Sequence, residues 1–331
     1  MRFLVLGSGS FTGATFVAHL LDRGCSVVGV NRSPEADPIL VPYRYQRTVS
    51  PEQFQFHQID VNHDLDRLAR LLDEFQPDYV ANFAAQGEVR NSWNWPEQWY
   101  QTNCLGVVRV AELLRKKPYL KRYFAASTPE VYGATGENVR ENHVYQPSTP
   151  YGASKLAGDL HLFALGKRWG FPAVFTRAAN LYGIHQQLYR IIPRAVIYLK
   201  LGRRIELHGR GLARRAFIHG RDVADATYRA LVSGRNGEVY HLSPDEGLMT
   251  IADVVRMVAE LMGRRFEDSV TMMDENFGQD ALFSLDSTKA RTELGWRPTV
   301  TFAEGVRETI EWIETNWDFI RRQPLNYIHK L

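Results

Sequence analysis

The chain has 331 residues, 44% of them hydrophobic and 23% charged, and its 40 basic and 37 acidic side chains leave a formal charge of +3. That balance argues against a dedicated nucleic-acid surface and suits an anionic small ligand, while no apolar run is long enough to span a bilayer. Cys25 and Cys104 are the only cysteines, which excludes a disulfide framework or a multi-cysteine zinc site. His57 and His63 flank Asp60 without a matching ligand cluster, so no metal is expected. With no charged-then-apolar leader at Met1, a cytoplasmic protein is expected.

Short β-rich runs alternate with amphipathic stretches through the first half, the pattern of parallel strands joined by crossover helices. Strands are predicted at Arg2–Leu6, Ser26–Val30, Phe54–Ile59, Tyr79–Phe83, Arg122–Ala126 and Ala173–Thr176, mostly apolar as for strands covered on both faces. A helix is predicted over Ala14–Leu21. Another, over Asp66–Phe75, carries Leu68, Leu71, Leu72 and Phe75 at helical spacing, a core stripe. The stretch Arg32–Gln53 holds Pro34, Pro38, Pro42 and Pro51 and reads as a long excursion. Beyond Gly183 the pattern is irregular, with late helices at Ile251–Met262 and around Val306, Ile310 and Ile313. The expected fold is α/β, a Rossmann-like doubly wound parallel sheet over 1–183 with a smaller lobe over 184–331, some of whose segments return to the first domain.

Between the first strand and first helix lies Gly7-Ser8-Gly9-Ser10-Phe11-Thr12-Gly13. Glycines there permit a tight turn and bring backbone N–H groups at a helix N-terminus to a pyrophosphate. At the end of the second strand, where an acidic residue usually holds the ribose hydroxyls of NAD, stand Asn31, Arg32 and Ser33. An available guanidinium suits a 2′-phosphate, so the cofactor is read as NAD(P). Thr128 closes the fifth strand, and Tyr151 and Lys155 lie four apart at the start of a helix. That spacing puts them on one face, where an ammonium favours the phenolate.

These segments, in this order, resemble the extended short-chain dehydrogenase/reductase family and, within it, the nucleoside-diphosphate-sugar 4,6-dehydratases. The resemblance covers nearly the whole chain. It includes Asn82-Phe83-Ala84-Ala85-Gln86, similar to a stretch lining the cofactor, and Asn103, at the position of a structural and proton-relay asparagine. Asp60 and Val61 join the implied cofactor contacts. Arg177–Gly183 is similar to the sugar-diphosphate loop, and Arg215 stands where a phosphate-contacting arginine is found, so Gln86, Asn180 and Arg215 are the implied substrate contacts. Ala84-Ala85-Gln86 and Val89–Ser92 look more like the GDP-mannose and CDP-glucose enzymes, Ile191-Ile192-Pro193 more like the dTDP-glucose enzymes. The base stays open.

The resemblance implies that Tyr151 takes the proton of the sugar 4-hydroxyl while hydride leaves C4, with Thr128 holding the oxygen and Lys155 tuning Tyr151. Glu130 is the implied base for the acidified C5 proton; water is then lost and the hydride returns to C6. An epimerase or decarboxylase shares the oxidation step, and a non-catalytic dinucleotide-binding protein is the remaining alternative. A homodimer is implied through the helices holding Asn103 and Tyr151, with Leu160 and Phe163 as its apolar candidates. Three departures stand out: Ser10 replaces a glycine, the late segment Asn276–Asp280 has no arginine, and Pro129 replaces the acidic or seryl residue before Glu130. Tyr132 and Glu88 are candidates for the proton donor that Pro129 cannot be.

Overall fold

The computed structural model describes residues 1–133, 136, 138–274 and 282–329. Seven parallel strands form the central sheet. The first six are β1 (Arg2–Leu6), β2 (Ser26–Asn31), β3 (Phe54–Gln58), β4 (Tyr79–Asn82), β5 (Arg122–Ala126) and β6 (Ala173–Ala178), and Val239–Leu242 is the last. From one edge to the other the order is last strand, β6, β5, β4, β1, β2, β3. The order reverses beside β1, and the crevice at such a reversal, beyond the carboxyl ends of the strands, is where doubly wound sheets bind ligands. Register is regular: Leu4 faces Val28 on one side and Val80 on the other.

Because strand side chains alternate, β1 feeds two cores. Phe3 and Val5 join Phe16, Val17 and Leu20 of α1 (Phe11–Asp22), together with Val223 and Leu231 of the helix Gly220–Ser233. Leu4 and Leu6 join Leu68, Leu71 and Leu72 of α2 (Leu65–Phe75), together with Val110 and Leu162. Two further helices cover this second face, α4 (Val107–Leu114) and α5 (Pro150–Trp169), while α3 (Pro96–Tyr100) packs against α5 and a π-helical turn at Gln101–Gly106 joins it to α4.

The predicted elements are present, with ends shifted by one or two residues except for α1, which starts three residues earlier than read. The sheet gains the strand Val239–Leu242 and the helix Gly220–Ser233 from beyond Gly183. A third core, with Ile192, Val196, Val254, Val258, Val306 and Ile313, belongs to the lobe. The proline-rich excursion is anchored by Tyr43, whose ring packs 4.7 Å from that of Phe54. Among the described residues no helix is long and apolar enough to cross a membrane.

Candidate active site

The turn after β1 is built from close backbone approaches. Gly7 has φ +76°, and a Cβ on Gly13 would lie 2.3 Å from the Gly7 carbonyl oxygen, so neither position accepts a side chain without rearrangement. Ser10 makes the departure at its position intelligible: its hydroxyl donates to the Gly7 carbonyl at 2.7 Å and accepts from the Gly13 N–H at 3.1 Å, capping α1. A Cβ on Gly9 would meet the Asn31 amide at 2.8 Å, which keeps the turn open beside the end of β2. The buried Ser8 hydroxyl has no hydrogen-bond partner among the described residues. Bare backbone at a helix N-terminus and an unspent hydroxyl fit a dinucleotide pyrophosphate.

Asn31 donates from its side chain to the Ser33 carbonyl, which holds the β2 end in a tight bend with Arg32 half-buried. Asp60 spends its carboxylate locally, accepting from Asn62 N–H at 2.8 Å and lying 3.2 Å from His63 Nδ1, while Val61 is buried. As the last residue of β4, Asn82 donates to Tyr123 and accepts from Ala84 N–H, shaping the stretch Ala84-Ala85-Gln86. Asn103 fixes its far end. The Asn103 carboxamide accepts from Gln86 N–H at 2.9 Å and donates to the Gln86 carbonyl and to Ser154 Oγ, each at 3.0 Å. The π-turn that carries Asn103 presses against α5 so closely that a Cβ on Gly158 would sit 2.4 Å from the Asn103 carbonyl oxygen.

Thr128, Glu130, Tyr151 and Lys155 converge where β5 ends and α5 begins. Thr128 caps the 3₁₀ turn Pro129–Tyr132, accepting from Glu130 N–H at 3.3 Å, and its side chain is one of the groups that lower the Tyr151 phenol. Pro129 fits as the first residue of that turn, where an N–H has no helical partner. Thr149 caps α5 and reaches Glu130 Oε2 at 3.4 Å, tying the carboxylate to the helix that presents Tyr151. Burial, then the Glu130 charge, pushes the Tyr151 phenol well above its ordinary range; the Thr128 hydrogen bond and the Arg190 charge pull the other way. Burial pushes Lys155 down, against the Asp159 charge.

Several expectations need correction. The Lys155 ammonium donates to the Ala126 carbonyl at 2.6 Å, and the leading influences that lower Tyr151 are Thr128 and Arg190 instead. Helical spacing aligned the two residues without fixing where a long side chain ends. Tyr132 is buried with its hydroxyl 2.5 Å from Arg177 and 2.8 Å from His241, and so is not placed to donate a proton to a ligand. Glu88 lies 3.7 Å from Arg190. Arg177 is fully buried against Asp159 and Ser127, so the implied diphosphate loop cannot use it. Asn180 at that loop is exposed and Gln86 is buried; Arg215 is half-buried and donates to the Arg214 carbonyl. Phe163 packs 4.6 Å from Phe175 of its own sheet, whereas Leu160 is exposed. The arginine-free segment Asn276–Asp280 lies outside the described residues. Arg190 and Thr149 were missed as site residues; only the cap pattern Thr149-Pro150 gave a sequence signal.

Residues 4–309 match the model of the family described as GDP-mannose 4,6 dehydratase. The dTDP-glucose 4,6-dehydratase of Xanthomonas campestris pv. campestris is 30% identical, across 96% of this chain and 95% of that protein. The crystal structure of the dTDP-glucose 4,6-dehydratase of Streptomyces venezuelae with NAD bound superposes with a TM-score of 0.87 at 28% identity, over 96% of this chain and 98% of that one. The UDP-glucuronic acid 4-epimerase of Bacillus cereus, in complex with UDP-glucuronic acid and NAD, gives 0.85 at 25% identity, over 95% and 99%.

Proposed function

The chain belongs to the GDP-mannose 4,6-dehydratase family, and we propose from that membership and from its site that it is an NAD(P)-dependent nucleoside-diphosphate-sugar 4,6-dehydratase. One observation carries the reading: a carboxylate, Glu130, is tethered through Thr149 to the helix that presents Tyr151, and its charge is felt at the Tyr151 phenol. An oxidation at C4 needs Tyr151 and Thr128. Only a reaction that continues at C5 needs a carboxylate next to them.

A dinucleotide held by these residues would supply the hydride acceptor for C4 and the hydride for C6. Tyr151 takes the 4-hydroxyl proton, Thr128 holds the same oxygen, and Arg190 supplies the positive charge that favours the phenolate, while Lys155 is anchored on the Ala126 carbonyl. The resulting 4-ketone acidifies C5, and Glu130 removes that proton as the 6-hydroxyl departs. Gln86, Asn180 and Arg215 are assigned to the substrate. The turn Gly7–Gly13, with Asn31, Arg32, Asp60, Val61, Ala84, Ala85 and Asn103, is assigned to the cofactor. Epimerisation remains the second reading because Pro129 brings no proton for a leaving hydroxyl, a requirement epimerases do not have. The protein is further proposed to be a homodimer through α5 and the π-turn, where Leu160 and Leu105 are exposed apolar side chains.

Incubation of the purified protein with GDP-, dTDP-, CDP- and UDP-hexoses tests the function. A 4-keto-6-deoxy product from one of them is expected. Interconversion of epimers with no such product would replace the dehydratase by the epimerase.

A further inference from the structure

The C-terminal segment does not end on the lobe that it leaves. Leu325 packs on the lobe core, but two residues later Tyr327 sets its ring edge-on to Tyr189, 5.5 Å between centroids. The neighbouring Arg190 pairs with Glu88 in the loop that follows β4, so Tyr327 sits where the lobe meets the loop carrying Ala84-Ala85-Gln86. The chain then reaches the dinucleotide domain. His329 lies parallel to two indoles of α3 and its approach, 4.4 Å from Trp95 and 5.6 Å from Trp99, with interplanar angles of 7° and 3°. Its Nε2 is 2.6 Å from Gln98 Oε1, and its Nδ1 is 3.2 Å from the Tyr327 hydroxyl. Tyr327 also feels the charge of Arg32 at the end of β2, which lowers its pKa against a net rise caused first by burial.

We infer that residues 325–329 form a strap across the dinucleotide cleft, with Tyr327 as its bar and His329 as its latch on Trp95 and Trp99. The inference rests on the dinucleotide-dependent reading above. The strap joins two elements that bound the cleft, the lobe at Tyr189 and α3, whose continuation holds Asn103 against Gln86, and Tyr327 lies within the charge of Glu88 in the loop after β4. A ligand lying between the turn at Gly7 and the loop at Gln86 leaves only when that bridge opens. The chemistry makes such a closure affordable, since a 4,6-dehydratase returns its hydride within each turnover and has no need to exchange its cofactor. The latch is held on α3 by stacking and a hydrogen bond to Gln98, contacts that open and reclose without unfolding the lobe.

The test compares the full chain, a chain ending at Asn326, which keeps Leu325, and His329→Ala. NAD and NADP affinities are measured by calorimetry, release by stopped-flow displacement, and cleavage near residue 327 of the full chain by limited proteolysis. Release about ten- to a hundredfold faster from both variants is expected, the factor that loss of one or two stacked contacts sets on an opening equilibrium, together with cofactor-dependent protection of the full chain's tail. Equal release rates from all three folded proteins, checked by circular dichroism, would overturn the strap and leave the dehydratase reading intact. A full chain that binds neither dinucleotide would overturn the functional reading, and the strap with it.

Discussion

Glu130→Gln separates the two halves of the proposed reaction. The substitution keeps size and an acceptor oxygen, so the 3.4 Å contact from Thr149 can persist and the cap of α5 on Thr149 is untouched. What disappears is the basic carboxylate. A positioned general base contributes about 10²–10⁴-fold, or about 3–5 kcal/mol on the barrier, and water loss from C6 should slow by that factor. The same carboxylate is the second influence, after burial, that raises the Tyr151 phenol. Its removal lets Tyr151 ionise at lower pH, so the acidic limb of the pH profile for substrate oxidation should move toward lower pH. The assay is single-turnover mixing with the nucleotide hexose that the wild-type protein converts, followed by the near-ultraviolet absorbance of the reduced cofactor and by deuterium entry at C5 from heavy water. Reduced cofactor should form and persist while C5 exchange stops. Wild-type rates of dehydration and exchange in the Gln variant would refute the assignment of Glu130.

Arg32→Ala should weaken NADP by about tenfold or more relative to NAD in calorimetric titrations, as expected when a 2′-phosphate loses its guanidinium; an equal effect on both would remove Arg32 from that role. Leu160→Glu should convert a dimer to a monomer by light scattering, since a buried charge would replace a side chain that is 49% exposed in the single chain; a monomeric wild-type protein would refute the interface. Burial lowers His185 to about 4, and His219 and His241 to about 3, so the unfolded chain takes up protons that the fold excludes. This stabilisation is complete well above pH 6.5 and is lost as pH falls below it, by up to roughly 1.4 kcal/mol per pH unit for each histidine. The melting temperature should therefore fall by several degrees between about pH 6.5 and 5; a flat profile would refute the argument.

What could be read from the sequence was what local rules decide. β1 and the turn after it combine an apolar run, glycines and a helix start within the first thirteen residues, and their packing follows from the same glycines. The Tyr151–Lys155 spacing likewise fixes a shared helical face. The strand Val239–Leu242 was not legible because Val-Tyr-His-Leu is too short to carry a period, and only its pairing with β6 makes it a strand. Asn103 could be placed by resemblance, but the π-turn that aims it depends on Gly158 approaching from α5. Tyr43 inside a proline-rich excursion and the Ala126 carbonyl beneath Lys155 are tertiary partners, and no spacing rule reaches them.

The remaining chemical question is the proton for the departing 6-hydroxyl. Tyr132 is committed to Arg177 and His241, which leaves Glu88 beside Arg190, bulk water or the proton that Glu130 has just taken from C5. Pro129→Asp tests whether this step limits the rate. The position is the first of a 3₁₀ turn capped by Thr128, where aspartate is compatible with the backbone and a negative charge is favoured. Proline offers no donor there, from side chain or main chain. If elimination waits on leaving-group protonation, the Asp variant should shorten the lifetime of the reduced cofactor and raise turnover, by at most the roughly 10²–10⁴-fold that a general acid supplies. Substrate oxidation, which depends on Tyr151, should change far less. A variant that folds, oxidises substrate at the wild-type rate and eliminates water no faster would show that the proton does not limit, and that proline at this position costs the reaction nothing.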